Sequence, residues 1–279
     1  MKIKYLGTGA CEGIPSLYCN CFVCKNARQK KGKELRTRSG FVLDDKIVID
    51  FSPDAYTNMV KHDVDFAAIE HILISHTHED HYCSMDLAQR YIKEDMPGVA
   101  RTLTVYGNEY VKKCFLAEDY YNDTLLQKKY VAFQSLQKEQ SVQIDEYTVT
   151  PFYTDHVRRE DSFVYLIQKG EKAYLHLLDS SEPNERVYQF LIDHQIKLSA
   201  VTMDCTFASL ETEFYGHMNI WQNIRVKNKL EGLGLADENT KFICSHISHY
   251  SGVDTHERLS QIAETNGLIL AYDGLTVEF

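Results

Sequence analysis

Residues 75–81 read SHTHEDH and put His76, His78, Asp80 and His81 on one turn, directly after the apolar run AIEHILIS at 68–75. A run that short and apolar is expected of a strand buried on both faces. Residues two apart on extended chain project to the same side, so His76 and His78 can grip one metal ion. Where the chain then turns into a helical pattern, Asp80 and His81 can aim at a second. Imidazole suits zinc, iron and related ions, and an added carboxylate suits a hydrolytic site. The bland alternative is a polar turn with Asp80 capping the next helix. Three histidines and an acid are far more than a cap requires.

Outward from this loop, strand and helix patterns interleave. KIKYLG, GFVLDD and KIVIDFS are short, β-branched and bounded by Gly or Asp, as strands are, and PDAYTNMVKHD reads as a helix. After the loop come helical CSMDLAQRYIKED (83–95), strand-like TLTVYG, and a mostly helical stretch at 108–130. The second half keeps this alternation, with strands YTVTPFYT, FVYLIQKG, AYLHLLD, LSAVTMDCT and KFICSHIS, helices at 183–195, 217–234 and 256–267, and two closing strands in LILAYDGLTVEF. Strand clusters with helices in both halves predict two sheets covered by helices. One domain over 1–279 is expected, in two half-sandwiches of roughly 1–140 and 141–279.

Composition narrows the partners. The 279 residues are 44% apolar, enough for a full-sized core, and the net charge is -10. No basic face of the kind that tracks nucleic acid is visible. No apolar run approaches the ~20 residues that span a bilayer, and MKIKYLGTG lacks a signal-peptide core, so a cytoplasmic location is expected. A chain of this length with eight cysteines is not a disulfide scaffold. In a reducing compartment the clustered ones, Cys19, Cys21 and Cys24 in CNCFVC, read as metal ligands, and Cys11, Cys83, Cys114, Cys205 and Cys244 as small apolar residues. Gly7, Gly9 and Gly13 depart from a dinucleotide loop and read as turn glycines.

SHTHEDH resembles the HxHxDH signature of the metallo-β-lactamase superfamily of metallohydrolases. The resemblance implies an αββα four-layer sandwich, an α/β (α+β) fold with two central mixed sheets flanked by helices and a dinuclear centre at their edge. It also implies further ligands, and His156 after YTVTPFYT, Asp179 ending AYLHLLD and His246 in ICSHIS follow in the expected order. By this carry-over one ion takes His76, His78 and His156, the other takes Asp80, His81 and His246, and Asp179 bridges them. His62, His71, His176, His194 and His256 are read as ordinary. Asp50, ending KIVID, is read either as a partner orienting a ligand histidine or as a turn residue.

His249, three residues after His246, is the expected fourth ligand of a structural Cys₃His zinc with Cys19, Cys21 and Cys24. A closed site of that kind leaves no position for substrate, so it is assigned no chemistry. The run GTGACEGIPSLYCNCFVC is similar to a narrower group, the phosphoribosyl 1,2-cyclic phosphate phosphodiesterases of bacterial phosphonate breakdown. The same cysteine cluster occurs in a pyrroloquinoline quinone biosynthesis protein whose histidine loop is degraded. Here the loop is complete.

These resemblances imply a metal-dependent phosphodiesterase whose dinuclear centre supplies hydroxide to a small cyclic phosphate or nucleotide-like diester. Zinc or manganese is expected at the catalytic positions, with iron also compatible, and a homodimer is an allowed assembly. Asp80 could also orient the attacking hydroxide. Asp204, ending AVTMD, and His217, in YGHMNI, are the candidate pair for protonating the leaving group. Arg36 and Arg38 are candidate phosphate donors. The 116–140 stretch is a candidate cover for the cleft. Competing readings are a tRNA 3′-processing nuclease, a thioester or lactam hydrolase, and a non-hydrolytic accessory protein.

Overall fold

The computed structural model describes residues 1–90, 102–118 and 121–279. Its strands, in chain order, are β1 Lys2–Gly7, β2 Gly40–Leu43, β3 Ile47–Phe51, β4 His71–Leu73, β5 Leu103–Gly107, β6 Val131–Ser135, β7 Val142–Ile144, β8 Tyr147–Thr154, β9 Ser162–Lys169, β10 Lys172–Leu177, β11 Ala200–Asp204, β12 Lys241–Ser245, β13 Ile269–Leu270 and β14 Thr276–Glu278. They form two seven-stranded sheets, ordered β14-β1-β2-β3-β4-β5-β6 and β13-β12-β11-β10-β9-β8-β7. Each is mixed. β3 to β6 run parallel in the first sheet and β10 to β13 in the second, while the remaining neighbours are antiparallel.

The helices are α1 Phe22–Lys30, α2 Ala55–His62, α3 Ser84–Leu87, α4 Glu109–Glu118, α5 Tyr121–Gln127, α6 Glu185–Asp193, α7 Ile220–Gly232 and α8 His256–Thr265. Strand alternation explains the layers. In β9, Phe163, Tyr165 and Ile167 point to the first sheet, and Val164 and Leu166 point out beneath the helices. In β3, Ile47 and Ile49 face in while Val48 faces out. Three apolar layers follow. One lies between the sheets, one joins the second sheet to α1, α6, α7 and α8, and one joins the first sheet to α3, α4 and α5. Three apolar seams between four layers make the expected αββα sandwich.

The chain crosses from one sheet to the other between β6 and β7, near the 140/141 boundary. Two pieces do not respect that division. β14 returns to pair with β1, and α1 packs on the second sheet's outer face.

Three expectations are corrected. The helix expected at 83–95 is only α3 over its first part, and its end at 91–95 lies outside the described residues. In the stretch at 116–140 (119 and 120 lie outside the described residues), the described residues do not cover the cleft. They form α5, which buries Leu125 on the first sheet's outer face, and the edge strand β6. Gly7 is no turn glycine. A Cβ there would lie 1.9 Å from the Arg38 carbonyl oxygen, so β1 needs glycine for close approach of a neighbouring backbone.

Among the described residues no helix is long and apolar enough to cross a membrane.

Candidate metal centre

The fold delivers chemistry-bearing side chains to one edge of the sandwich, where β3, β4, β8, β10, β11 and β12 all end. Asp50 lies near the end of β3, His76 and His78 follow β4, and His156 follows β8. Asp179 follows β10, Asp204 ends β11 and His246 follows β12. Asp50, Asp179 and His246 have φ of 59°, 45° and 61°. This left-handed region costs an ordinary residue roughly 1–2 kcal/mol. Here it turns each side chain off its strand and into the crevice, and such strain collects at functional sites.

Four groups of ligand atoms result, each with all members within 4.8 Å of one another: His76, His78 and His156; Asp80, His81, Asp179 and His246; Asp179, Asp204, His217 and His246; and Cys19, Cys21, Cys24 and His249. Asp179 also reaches the first group, with Oδ2 3.6 Å from His76 Nε2, while Oδ1 lies 3.3 Å from His246 Nε2. The sequence-derived set of seven residues and the separate cysteine set are therefore both brought together.

The imidazoles are aimed by their other nitrogens. His76 Nδ1 meets Ser75 Oγ at 3.0 Å, His81 Nδ1 meets Asp50 Oδ2 at 2.6 Å, and His246 Nδ1 meets Thr206 Oγ1 at 2.8 Å. His156 Nδ1 donates to the Gly216 carbonyl at 3.2 Å. Each thus presents Nε2 to the crevice, an arrangement that fixes the tautomer of a metal-ligating histidine. His78 instead presents Nδ1, 3.1 Å from His156 Nε2. Asp50 also accepts from the Ser75 amide at 2.8 Å, so of the two roles that the sequence left open it has the orienting one, from within β3 rather than from a turn.

The donors fit divalent cations. His76 Nε2 and Asp179 Oδ1 are buried without a hydrogen-bond partner among the described residues, and both face the cluster. Asp50, Asp80, Asp179 and Asp204 are at most 6% exposed. Four carboxylates removed from water need compensating positive charge. In the cysteine group, Cys19 Sγ and Cys21 Sγ each lie 3.6 Å from His249 Nδ1, and His249 Nε2 faces the Glu12 carboxylate at 3.7 Å.

Asp204 and His217 stand beside Asp179 and His246. Asp204 Oδ1 accepts from the Thr206 and Met218 amides at 3.0 and 2.9 Å, and Oδ2 accepts from Thr206 Oγ1 at 3.1 Å and His217 Nδ1 at 2.8 Å. With four donors, both oxygens of Asp204 are occupied as acceptors. Burial works against charge on His217. The Asp204 carboxylate, by charge and hydrogen bond, with Asp179 adding to it, outweighs burial and pushes the imidazole up to about 9.

The two candidate arginines already have partners within the chain. Arg36 is buried and donates from Nη1 to Thr8 Oγ1 and the Ala271 carbonyl, both at 2.7 Å, with Nη2 3.0 Å from His256 Nδ1. Arg38 gives Nε and Nη2 to the two oxygens of Asp54 at 2.9 Å each. Arg36 is thus enclosed, whereas the Arg38 side chain keeps 32% exposure. Cys11 also departs from its apolar reading, because it is exposed and its thiol donates to Glu12 at 3.2 Å.

Several contributors carry no sequence signal. Glu160 accepts from the Thr77 amide at 3.0 Å and from Thr77 Oγ1 at 2.6 Å, and so braces the turn between His76 and His78. Thr206 joins Asp204, His217 and His246 through one hydroxyl. Beside His78 and His156 opens a cavity of about 500 Å³, reached also by Tyr110, Arg158 and Arg159.

A family model described as the beta-lactamase superfamily domain matches residues 45–264. Among solved structures, a diphosphatase of the PhnP family superposes with a TM-score of 0.73 at 21% identity, covering 100% of this chain and 97% of its own. Zinc-bound PqqB from Methylobacterium extorquens superposes with a TM-score of 0.74 at 17% identity, covering 100% of each chain. At those identities the likeness is one of fold. An octanoyltransferase from Porphyromonas gingivalis (strain ATCC BAA-308 / W83) is 31% identical over 88 residues, which is 31% of this chain and only 17% of that relative's length.

Proposed function

This chain belongs to the β-lactamase superfamily, and from that membership we propose that it is a metal-dependent phosphodiesterase acting on a small cyclic phosphate or nucleotide-like diester. The observation that carries this reading is the pairing of a full seven-residue donor set with the Asp204–His217 couple at its side. In the proposal His76, His78 and His156 hold one divalent ion, and Asp80, His81 and His246 hold a second. Asp179 lies between them, and Cys19, Cys21, Cys24 and His249 hold a structural zinc. The catalytic donors accept zinc, manganese or iron. Such ions supply Lewis-acid polarisation of a phosphoryl group and activation of water near neutral pH.

The chain's own residues do the remainder. Asp80, beside His81 and His246, orients the attacking oxygen. A phosphodiester with an alkoxide leaving group needs a proton on the departing oxygen. His217 supplies it from Nε2, because Nδ1 is committed to Asp204. Asp204 fixes the tautomer and favours the charged imidazole. Asp50, Ser75, Thr206 and the Gly216 carbonyl hold the ligand imidazoles in register.

The test is turnover of bis(p-nitrophenyl) phosphate and of cyclic ribose and nucleoside phosphates by zinc- and manganese-loaded protein. Expected is activity abolished by chelation and restored by metal. Complete inactivity on every diester, with occupancy shown by metal analysis, would overturn the reading.

A further inference from the structure

The segment at 205–219, between β11 and α7, carries His217 and also two aromatic rings that the mechanism does not use, Phe207 and Phe214. Their centroids lie 4.2 Å apart, with the planes inclined at 34°. Tyr250, from the turn after His249, stands nearly parallel to Phe207, at 6.4 Å and 24°. Phe207 is half-buried, whereas Phe214 and Tyr250 are 44% and 63% exposed. Single exposed apolar residues are ordinary on a protein surface. Three rings gathered from two segments into one shelf are not scattered singly. The shelf adjoins the site, because the Phe207 ring meets the His217 imidazole edge to face at 5.8 Å and 82°. It is also held in place. The Phe207 amide donates to the Met218 carbonyl at 3.1 Å, and Ser209 gives its amide and its hydroxyl to the buried Asp254 carboxylate at 2.9 and 2.7 Å. The carboxylate next to Phe214, Glu213, is taken up by Arg225. Flat apolar faces beside a group that donates a proton to the substrate suit a planar ring carried by that substrate.

We propose that Phe207, Phe214 and Tyr250 form a stacking shelf for the nucleobase of a nucleoside whose sugar oxygen is the leaving group. His217 gives its proton to that oxygen, so the departing nucleoside lies on the His217 side of the reacting diester, where the shelf begins. Stacking on ring faces uses the π-surface that every base has, and the shelf therefore selects nucleosides over plain sugars. This inference rests on the phosphodiesterase reading and adds a substrate class to it: diesters in which the departing oxygen belongs to a nucleoside.

A matched pair of substrates tests it, adenosine 2′,3′-cyclic phosphate and the 2,3-cyclic phosphate of methyl β-ribofuranoside, which has a methoxy group in place of the base. Base–aromatic stacking predicts a preference of about 30-fold in kcat/KM for the adenosine compound. The Phe214→Ala/Tyr250→Ala double variant removes the two exposed rings and leaves the half-buried Phe207 in the fold. It should lose most of that preference, chiefly through KM, while turnover of the methyl riboside falls by less than about threefold. Phe214→Tyr/Tyr250→Phe keeps both ring faces and should keep the preference. No preference in the wild type, a preference kept by the double Ala variant, an equal fall on both substrates, or a preference lost in the aromatic exchange overturns the shelf. If the wild type hydrolyses neither compound, the phosphodiesterase reading has failed and calorimetry decides the shelf separately. Adenosine 5′-phosphate should then bind the metal-loaded wild type about tenfold more tightly than ribose 5-phosphate, and the double Ala variant should bind the two alike. Equal affinities in the wild type, or a difference kept by the double Ala variant, overturn the proposal.

Discussion

At His217 a single hydrogen bond decides which nitrogen is free for chemistry. Nδ1 lies 2.8 Å from Asp204, which leaves Nε2 as the proposed donor to a leaving group. General-acid catalysis contributes roughly 10²- to 10⁴-fold, and its worth depends on how badly the leaving group needs a proton. His217→Ala should therefore lower kcat by about 10³-fold on diesters with alkoxide leaving groups. With p-nitrophenolate, which departs without help, the loss should be about tenfold or less. Asp204→Asn should follow the same pattern more weakly, since it disturbs the tautomer and keeps the ring. A rate series over leaving-group pKa in each variant measures this. Equal losses across the series would remove His217 from proton transfer.

At the scale of the element, the site depends on a turn held from outside. Glu160 grips Thr77 by amide and hydroxyl, and its other oxygen takes the Asn108 amide. Glu160→Gln keeps the shape and turns one acceptor into a donor facing donors. A lost outer partner of a metal ligand typically costs 10- to 100-fold in affinity. The expected outcome is a metal affinity about 30-fold weaker by chelator competition, with a nearly unchanged melting temperature. Unchanged affinity would show that the turn is rigid without Glu160. On β1, Gly7→Ala would drive a methyl group into the Arg38 carbonyl. Backbone cannot yield there as a flexible side chain could, so a loss of about 3 kcal/mol or more is expected in denaturant unfolding. Wild-type stability in that variant would mean that the two segments separate easily. The sequence could not give either result. His76 and His78 were legible because they follow a short apolar strand on one histidine-rich turn, whereas Asp179 and His246 were placed by the resemblance to the HxHxDH family. Glu160, Thr206 and Ser75 are common residue types, and the first two act across 83 and 40 positions. β6 and β7 escaped because VAFQS and VQI are short, mixed edge strands whose pairing comes from their neighbours. The partners of Arg36 and Arg38 were not legible, because charge alone does not show whether a partner is already present.

Across the whole molecule, the N-terminal loop is joined to the turn that carries His246 by Glu12, which meets Ser248 and His249, and by two further devices. One is the cysteine group, which brings Cys19 and Cys21 to His249. The other is backbone pairing, in which Ile247 donates to the Thr8 carbonyl at 2.9 Å and Ala10 donates to the Ile247 carbonyl at 3.1 Å. The Thr206 hydroxyl adds a hold on His246 itself. Cys21→Ser attacks only the cysteine group, because at the N-cap of α1, where Cys21 Sγ accepts from the Cys24 amide, a serine oxygen takes over the same bond. Metal loss is among the few mechanisms with large stability effects. A cost of about 2 kcal/mol would lower the midpoint of a protein this size by roughly 4–8 °C. The variant should therefore melt several degrees early and lose one zinc equivalent per chain. The remaining holds keep His246 in place, so kcat per occupied dinuclear centre should fall by less than about tenfold. Melting curves, metal stoichiometry and turnover measured on one preparation separate these effects. If zinc content and melting are unchanged, the cysteine group is not a structural metal site. If activity collapses while the dinuclear centre stays filled, the backbone pairing does not support His246 by itself, and the cysteine site governs the geometry of the catalytic turn.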